Sequence, residues 1–219
     1  MFISASALAS ERMPVPAWFA DTLERELRQW VSLSSDQVTQ LHRHYELLES
    51  WNKRMNLTRV APGTEMIVRH YCESLFFGRH LPTTTLSTTI VDIGSGAGFP
   101  GVPMAVLRPE SRVTLVESNQ RKAVFLREAS RHLANVAVVS KRAEEIVGRF
   151  DWAVARAVEP REVLANIPRL ALSVGLMMGE SDLEEIRKAD IAWSEPVRLP
   201  WGDRKLCVYG VSRGTVLQG

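Results

Sequence analysis

The sequence predicts a doubly wound α/β fold, a mostly parallel sheet with helices on both faces, preceded by a helical segment. Three observations carry this. From residue 89 onward, short apolar runs alternate with helix-period patterns, the pattern of parallel strands joined by crossover helices. A glycine-rich stretch, Gly94 to Gly98, joins the first apolar run to the first of these helices. The chain also closes on two strand-like runs with only Trp201-Gly202-Asp203 between them, an antiparallel hairpin.

Before the sheet everything reads as helix. Phe19, Leu23, Leu27 and Trp30 recur at helical spacing, as do Val38, Leu41, Tyr45 and Leu48 behind a Ser34-x-x-Gln37 capping box, and a third helix is expected over 64–78. The threonine-rich stretch 82–89 marks a boundary, which gives a helical segment over 1–84 and an α/β domain over 85–219. Within that domain strands are expected near 89–93, 113–117, 135–140, 151–155 and 173–178. The helices between them are expected near 100–108, 119–133, 142–147, 159–171 and 182–189, with Pro100 in a first turn. The runs 196–200 and 205–212 form the closing hairpin.

Composition sets bounds. With 219 residues, 45% hydrophobic and 24% charged, the chain is that of an ordinary globular protein. Its two cysteines, Cys72 and Cys207, belong to no C-x-x-C, so reduced thiols, a cytoplasmic location and no structural metal are expected. There is no 18-residue apolar run, and residues 1–10 lack a basic secretion-signal start. A net charge of +2 means that a nucleic-acid partner would be met by a local basic face. His42, His44, His80 and His132 show no metal-ligand grouping and are expected at the surface, whereas His70 and Ser74, one helical turn apart, suit a hydrogen bond within their helix.

The glycine stretch carries the chemistry. Asp92-Ile93-Gly94-Ser95-Gly96-Ala97-Gly98 places an acid two residues ahead of a G-x-G-x-G turn, where main chain without Cβ atoms can approach a ligand. Asp92 ends an otherwise apolar strand and needs a cationic or donor partner, which the α-amino group of S-adenosylmethionine would supply. Glu117, ending the second strand, is placed to accept both ribose hydroxyls. Gly96-x-Gly98-x-x-Gly101 also satisfies the dinucleotide fingerprint, so a nicotinamide-dependent oxidoreductase stays open. After the fourth strand the chain has Ala155-Arg156-Ala157-Val158 and no Asp/Asn-Pro-Pro-aromatic turn, and neither cysteine lies at a strand end beside the loop. Amino methylation of adenine or cytosine and carbon-5 methylation of pyrimidines are thereby disfavoured. A lone-pair nucleophile such as guanine N7 needs only to be held in line, with no dedicated acid or base.

A resemblance then becomes specific. Trp51-Asn52-Lys53-x-x-Asn56-Leu57-Thr58, Arg69-His70-x-x-x-Ser74-Leu75, and Asp92 to Gly98 extended by Phe99-Pro100-Gly101-Val102-Pro103 occur in order. They are followed by Arg121 to Leu126, Arg142-Ala143-Glu144-Glu145, and Phe150-Asp151 leading to Arg156-Ala157. In these blocks the chain resembles the bacterial 16S ribosomal RNA guanine-N7 methyltransferase family, also called glucose-inhibited division protein B. The resemblance implies a seven-stranded, Rossmann-like class I S-adenosylmethionine-dependent methyltransferase acting on 16S rRNA or the small ribosomal subunit. It implies that Gly94 and Phe99 line the methionine and ribose part of the cofactor site, with Gly96 and Gly98 in the same loop. Ala143 and Glu144 would flank the adenine, Arg156 would lie where cofactor and substrate meet, and Arg142 would touch RNA. Lys53 and Arg54, clustered with Arg59, and Arg69 complete the basic set expected at RNA, although Asn52, Lys53 and Asn56 could equally end a helix and start a turn. Where the family commonly ends its fifth strand in Lys-Gly, this chain has Met177-Met178-Gly179. A basic contact to RNA is therefore missing or supplied by another residue, and a non-catalytic ribosome-binding protein of the same fold stays open.

Overall fold

The computed structural model describes residues 14–83, 87–202 and 204–213. The expected boundary at 84–85, the start of the chain and Asp203 of the hairpin turn lie outside the described residues.

Three helices come first: α1 (Ala17–Leu27), α2 (Ser35–Met55) and α3, which runs from Thr64 to His80. The capping box forms as the sequence predicts, with Ser34 Oγ accepting from the Gln37 N–H and Gln37 Oε1 accepting from the Ser34 N–H. Helix α2 ends at Asn56 in the left-handed conformation, which asparagine tolerates. The Asn52 side chain then clamps both the N–H and the C=O of Thr58, so these asparagines do shape a turn. In α3 the stretch Ile67–Cys72 is π-helical.

The α/β part follows as β1 (Thr89–Ile93), α4 (Gly101–Leu107), β2 (Arg112–Val116), α5 (Gln120–Ser130), β3 (Val136–Val139), β4 (Phe150–Arg156), α6 (Pro160–Leu170), β5 (Ala171–Gly179), α7 (Leu183–Ile186), β6 (Ile191–Trp193), β7 (Val197–Arg198) and β8 (Lys205–Ser212). The strand order is β3-β2-β1-β4-β5-β8-β6, with β7 also paired to β8. Strands β1 to β5 are parallel, and β8 runs antiparallel to β5, β6 and β7. Along β1, Ile90 packs on one face and Val91 and Ile93 on the other, the period-2 alternation of a strand buried on both sides. One face meets α1 to α5 through Phe19, Leu23, Leu41, Tyr71 and Phe77; the other meets α6 through Val163, Ile167 and Leu170.

Four expectations are corrected. The helix expected over 142–147 is one 3-10 turn, Ala143–Glu145, because Ile146 returns to extended backbone and Gly148 takes a positive φ. The helix expected over 182–189 is reduced to a 3-10 turn and the four residues of α7. The closing hairpin has a short first arm, the two residues of β7, and the outer position of the sheet is filled by β6, whose three residues give no periodicity to read. His42 and His44 are buried rather than surface residues, because they lie on the face of α2 that carries Leu41, Tyr45 and Leu48.

Candidate functional site

The site forms at the carboxyl ends of β1, β2 and β4. Gly94, Gly96 and Gly98 all have positive φ, of 70°, 57° and 91°. The Gly94 and Ser95 N–H groups donate to the Val116 C=O, which ties the turn to β2. A Cβ at Gly98 would meet Val102 at 2.8 Å and His44 at 3.0 Å, whereas one at Gly96 would meet nothing closer than the Gly94 oxygen at 3.8 Å. Gly98 is thus required by the packing behind the loop, and Gly96 leaves bare main chain on its open side.

Asp92 is fully buried. Its Oδ2 accepts from the Gly101 N–H at 3.0 Å, and its Oδ1 has no partner. Burial pushes its pKa up to about 7, against the opposing effect of the Gly101 hydrogen bond, while Ser95 Oγ donates to the Asp92 main-chain carbonyl. The first donor that the sequence demanded is therefore within the chain, a main-chain N–H, and one oxygen is left to be satisfied. Glu117 caps the adjacent strand: Oε2 accepts from Gly96 N–H at 3.0 Å and Oε1 from Asn119 N–H at 2.8 Å. It braces the loop while keeping further lone pairs on both oxygens.

Phe99 is buried behind the loop, stacked on His70 at 4.7 Å and edge-on to His44 and Tyr71. His70 does not bond Ser74. The π-helical turn breaks the i, i+4 alignment, His70 Nε2 pairs instead with Thr58 Oγ1 at 2.7 Å, and Ser74 Oγ is left without a partner.

Beside Gly94 a cleft of about 600 Å³ is lined by Ile93, Val116, Arg142, Ala143, Glu144 and Asn166, among others. It brings Gly94, Ala143 and Glu144, expected at the cofactor, to one cleft together with Arg142, expected at RNA. Sequence reasoning missed Arg169 of α6, whose guanidinium donates to the carbonyls of Ala143 and Ile146 and to Asn166 Oδ1, holding the far wall of the cleft. Its place in an amphipathic helix gave no local signal.

Arg156 ends β4 as part of a buried ionic cluster. Its Nη2 donates to Glu73 Oε2 at 2.8 Å and to the Arg69 carbonyl, and its Nη1 has no partner. Burial lowers its pKa and Glu73 opposes that. Lys205 Nζ reaches both oxygens of Glu73, at 2.8 and 3.1 Å, so one buried carboxylate holds two cations. Across the β5–β8 pairing Lys205 faces Gly179, so the cation at this end of the sheet comes from β8. Met178 is buried among Val163, Ile186 and Val208 and does not line the cleft rim. Lys53, Arg54, Arg59 and Arg142 are exposed, and Arg69 is paired across one helical turn with Glu65. Among the described residues no cluster suits a metal, and no helix is long and apolar enough to cross a membrane.

Comparison with known proteins decides the family. The family model for rRNA small subunit methyltransferase G matches residues 37–197. The chain belongs to the rRNA small subunit methyltransferase G family. The protein of that name from Xanthomonas campestris pv. campestris strain B100 is 38% identical over 191 residues, covering 81% of this chain and 88% of its own. That from Stenotrophomonas maltophilia is 36% identical over 207 residues, covering 88% and 95%. Among solved structures, fibrillarin in its complex with Nop5p superposes with a TM-score of 0.54 at 16% identity, covering 70% of this chain and 87% of its own. A predicted O-methyltransferase from Agrobacterium tumefaciens gives 0.54 at 16%, covering 66% and 82%. These two share the fold. Because the family is one of methyltransferases, the nicotinamide reading of the Gly96 frame falls.

Proposed function

We propose that this chain transfers the methyl group of S-adenosylmethionine to N7 of a guanine in a decoding-region loop of 16S ribosomal RNA. The observation that carries this reading is the glycine loop at the carboxyl end of β1, where Gly94 lines the cleft that faces Ala143–Glu144 and Gly96 leaves bare main chain on its open side. The residues fit such a cofactor: a free oxygen on buried Asp92 suits an α-amino group, Glu117 retains acceptors for ribose hydroxyls, and the Ala143–Glu144 turn offers a wall for adenine. Gly98 and Phe99 shape the loop from behind. When bound, the cofactor supplies a sulfonium methyl, an electrophile.

Guanine N7 already carries a lone pair, so no side chain has to remove a proton, and the chain's task is orientation. Arg156 is the positioning residue. Held by Glu73, with one guanidinium nitrogen unpartnered, it is fixed before substrate arrives. Lys53, Arg54, Arg69 and Arg142 hold the phosphates around the target, giving position rather than sequence readout.

The test is nucleoside mass spectrometry after incubating the protein and S-adenosylmethionine with small subunits, or with 16S rRNA, from cells lacking it. One 7-methylguanosine should appear. Its absence on both substrates overturns the reading and leaves a non-catalytic ribosome-binding role. Single-turnover rates should be flat between roughly pH 6.5 and 8.5, whereas a base-limited reaction would rise about tenfold per pH unit.

A further inference from the structure

The glycine loop is held from behind by a histidine that the proposed reaction does not use. His44, midway along α2, is fully buried. Its Nε2 lies 3.0 Å from the Ala97 carbonyl oxygen and its Nδ1 2.7 Å from the Tyr71 hydroxyl. A carbonyl oxygen can only accept, so Nε2 carries the proton and donates, and Nδ1 accepts from the Tyr71 O–H. Burial takes the ring's pKa down to about 4, which keeps it neutral near pH 7. The same ring packs edge-on to Phe99 at 5.2 Å and to Phe125 at 5.8 Å.

We propose that His44 is a positioning residue for the cofactor loop: with Tyr71 behind it, it fixes the orientation of the Ala97–Gly98 peptide and hence the face the loop offers to S-adenosylmethionine. The proposal rests on the functional reading above. Ala97 lies between Gly96 and Gly98, both at positive φ. Glycine accepts either sign of φ, so local sterics do little to prevent this peptide from rotating. It is held at both ends: its Gly98 N–H donates to the Ser95 C=O at 2.7 Å and its Ala97 carbonyl accepts from His44. Facing inward, the Ala97 oxygen is paired with the His44 N–H; without that donor it would be a buried, unsatisfied acceptor, and turning toward the cleft would relieve it. Tyr71 acts at one remove. The Ala97 carbonyl fixes the tautomer, and the Tyr71 O–H, donating to the bare Nδ1, satisfies that nitrogen and holds the ring in place; in the other tautomer Nε2 would present a lone pair to the Ala97 oxygen.

The experiment uses the full chain as wild type, His44→Phe, His44→Gln, Tyr71→Phe and the double variant of His44→Phe with Tyr71→Phe, with calorimetric titration of S-adenosylhomocysteine and steady-state methylation of small subunits. His44→Phe should raise the cofactor Kd and KM about tenfold, the scale of one lost buried hydrogen bond, with kcat at saturating cofactor within about twofold and the subunit KM unchanged. His44→Gln, whose amide N–H can reach the same carbonyl, should recover most of the affinity. Tyr71→Phe should weaken binding several-fold alone and add nothing on top of His44→Phe. A merely structural role predicts lower melting temperatures with unchanged Kd in the folded variants. That result in Tyr71→Phe, which loses one oxygen and keeps its ring, overturns the proposal even if His44→Phe fails to fold. Wild type that binds no S-adenosylhomocysteine overturns the functional reading and the proposal with it; wild-type binding with unchanged variants overturns the proposal alone.

Discussion

Asp92 carries a consequence for solution behaviour. Its folded pKa, near 7, lies above the ordinary carboxylate value, so the folded state holds a proton that the unfolded state has released. The contribution to stability is full below about pH 4, fades as pH rises toward 7 and does not return. A cation docking against Oδ1 would expel the proton. Binding of S-adenosylhomocysteine at about pH 7 should therefore release a fraction of a proton, visible as a buffer-dependent calorimetric enthalpy, and Asp92→Asn should remove that dependence. No buffer dependence in wild type would mean that the ligand amine is bound elsewhere. Met178 is read differently from its sequence position: buried on the α6 face, it makes Met178→Lys a matter of desolvating an ammonium. That variant should melt several degrees lower while the salt dependence of RNA binding keeps its slope.

At the level of elements, α2 and α3 act as a backing plate for the loop, and their histidines make that plate acid-labile. His44 and His70 are pushed down to about 4 and about 3, chiefly by burial, with Arg156 adding to the shift at His70. A lowered histidine pKa means that the unfolded state takes up protons first, so stability is full above about pH 6.5 and is lost as pH falls toward 4. Each should contribute a slope of up to about 1.4 kcal/mol per pH unit in that window. Denaturant unfolding of His44→Gln between roughly pH 4.5 and 6.5 should show a shallower decline than wild type. Such features explain where the sequence was readable. The glycine loop and the two strand-end carboxylates were legible because each lies in a contiguous run with a chemical requirement. Arg169, Lys205, the buried place of His44 and the pairing of His70 were not, because their partners are remote in sequence: Ile146 and Ala143, Glu73, Ala97, and Thr58. The helix expected at 142–147 failed because three acid- and alanine-rich residues look helical whether they make one turn or several.

On the scale of the whole molecule, the exposed cations Lys53 and Arg54 close α2 while the cleft opens at the carboxyl ends of β1 and β2, so RNA binding should be spread over helical and sheet parts alike. Lys53→Gln and Arg54→Gln should each weaken binding at low salt and flatten the log Kd against log salt plot by about 0.7 to 0.9, with cofactor affinity unchanged. Unaltered slopes would place the RNA track on another face. The sheet order has a further outcome for biosynthesis. Strand β8 lies between β5 and β6, though it follows both in the chain, and its Lys205 completes the ionic cluster around Glu73. On a ribosome that makes the chain from its amino end, β6 must wait without its neighbour and Arg156 without the full cluster until Ser212 has left the exit tunnel. The ionic cluster that holds Arg156, and with it the positioning proposed for that residue, is therefore complete only after β8 has joined the sheet.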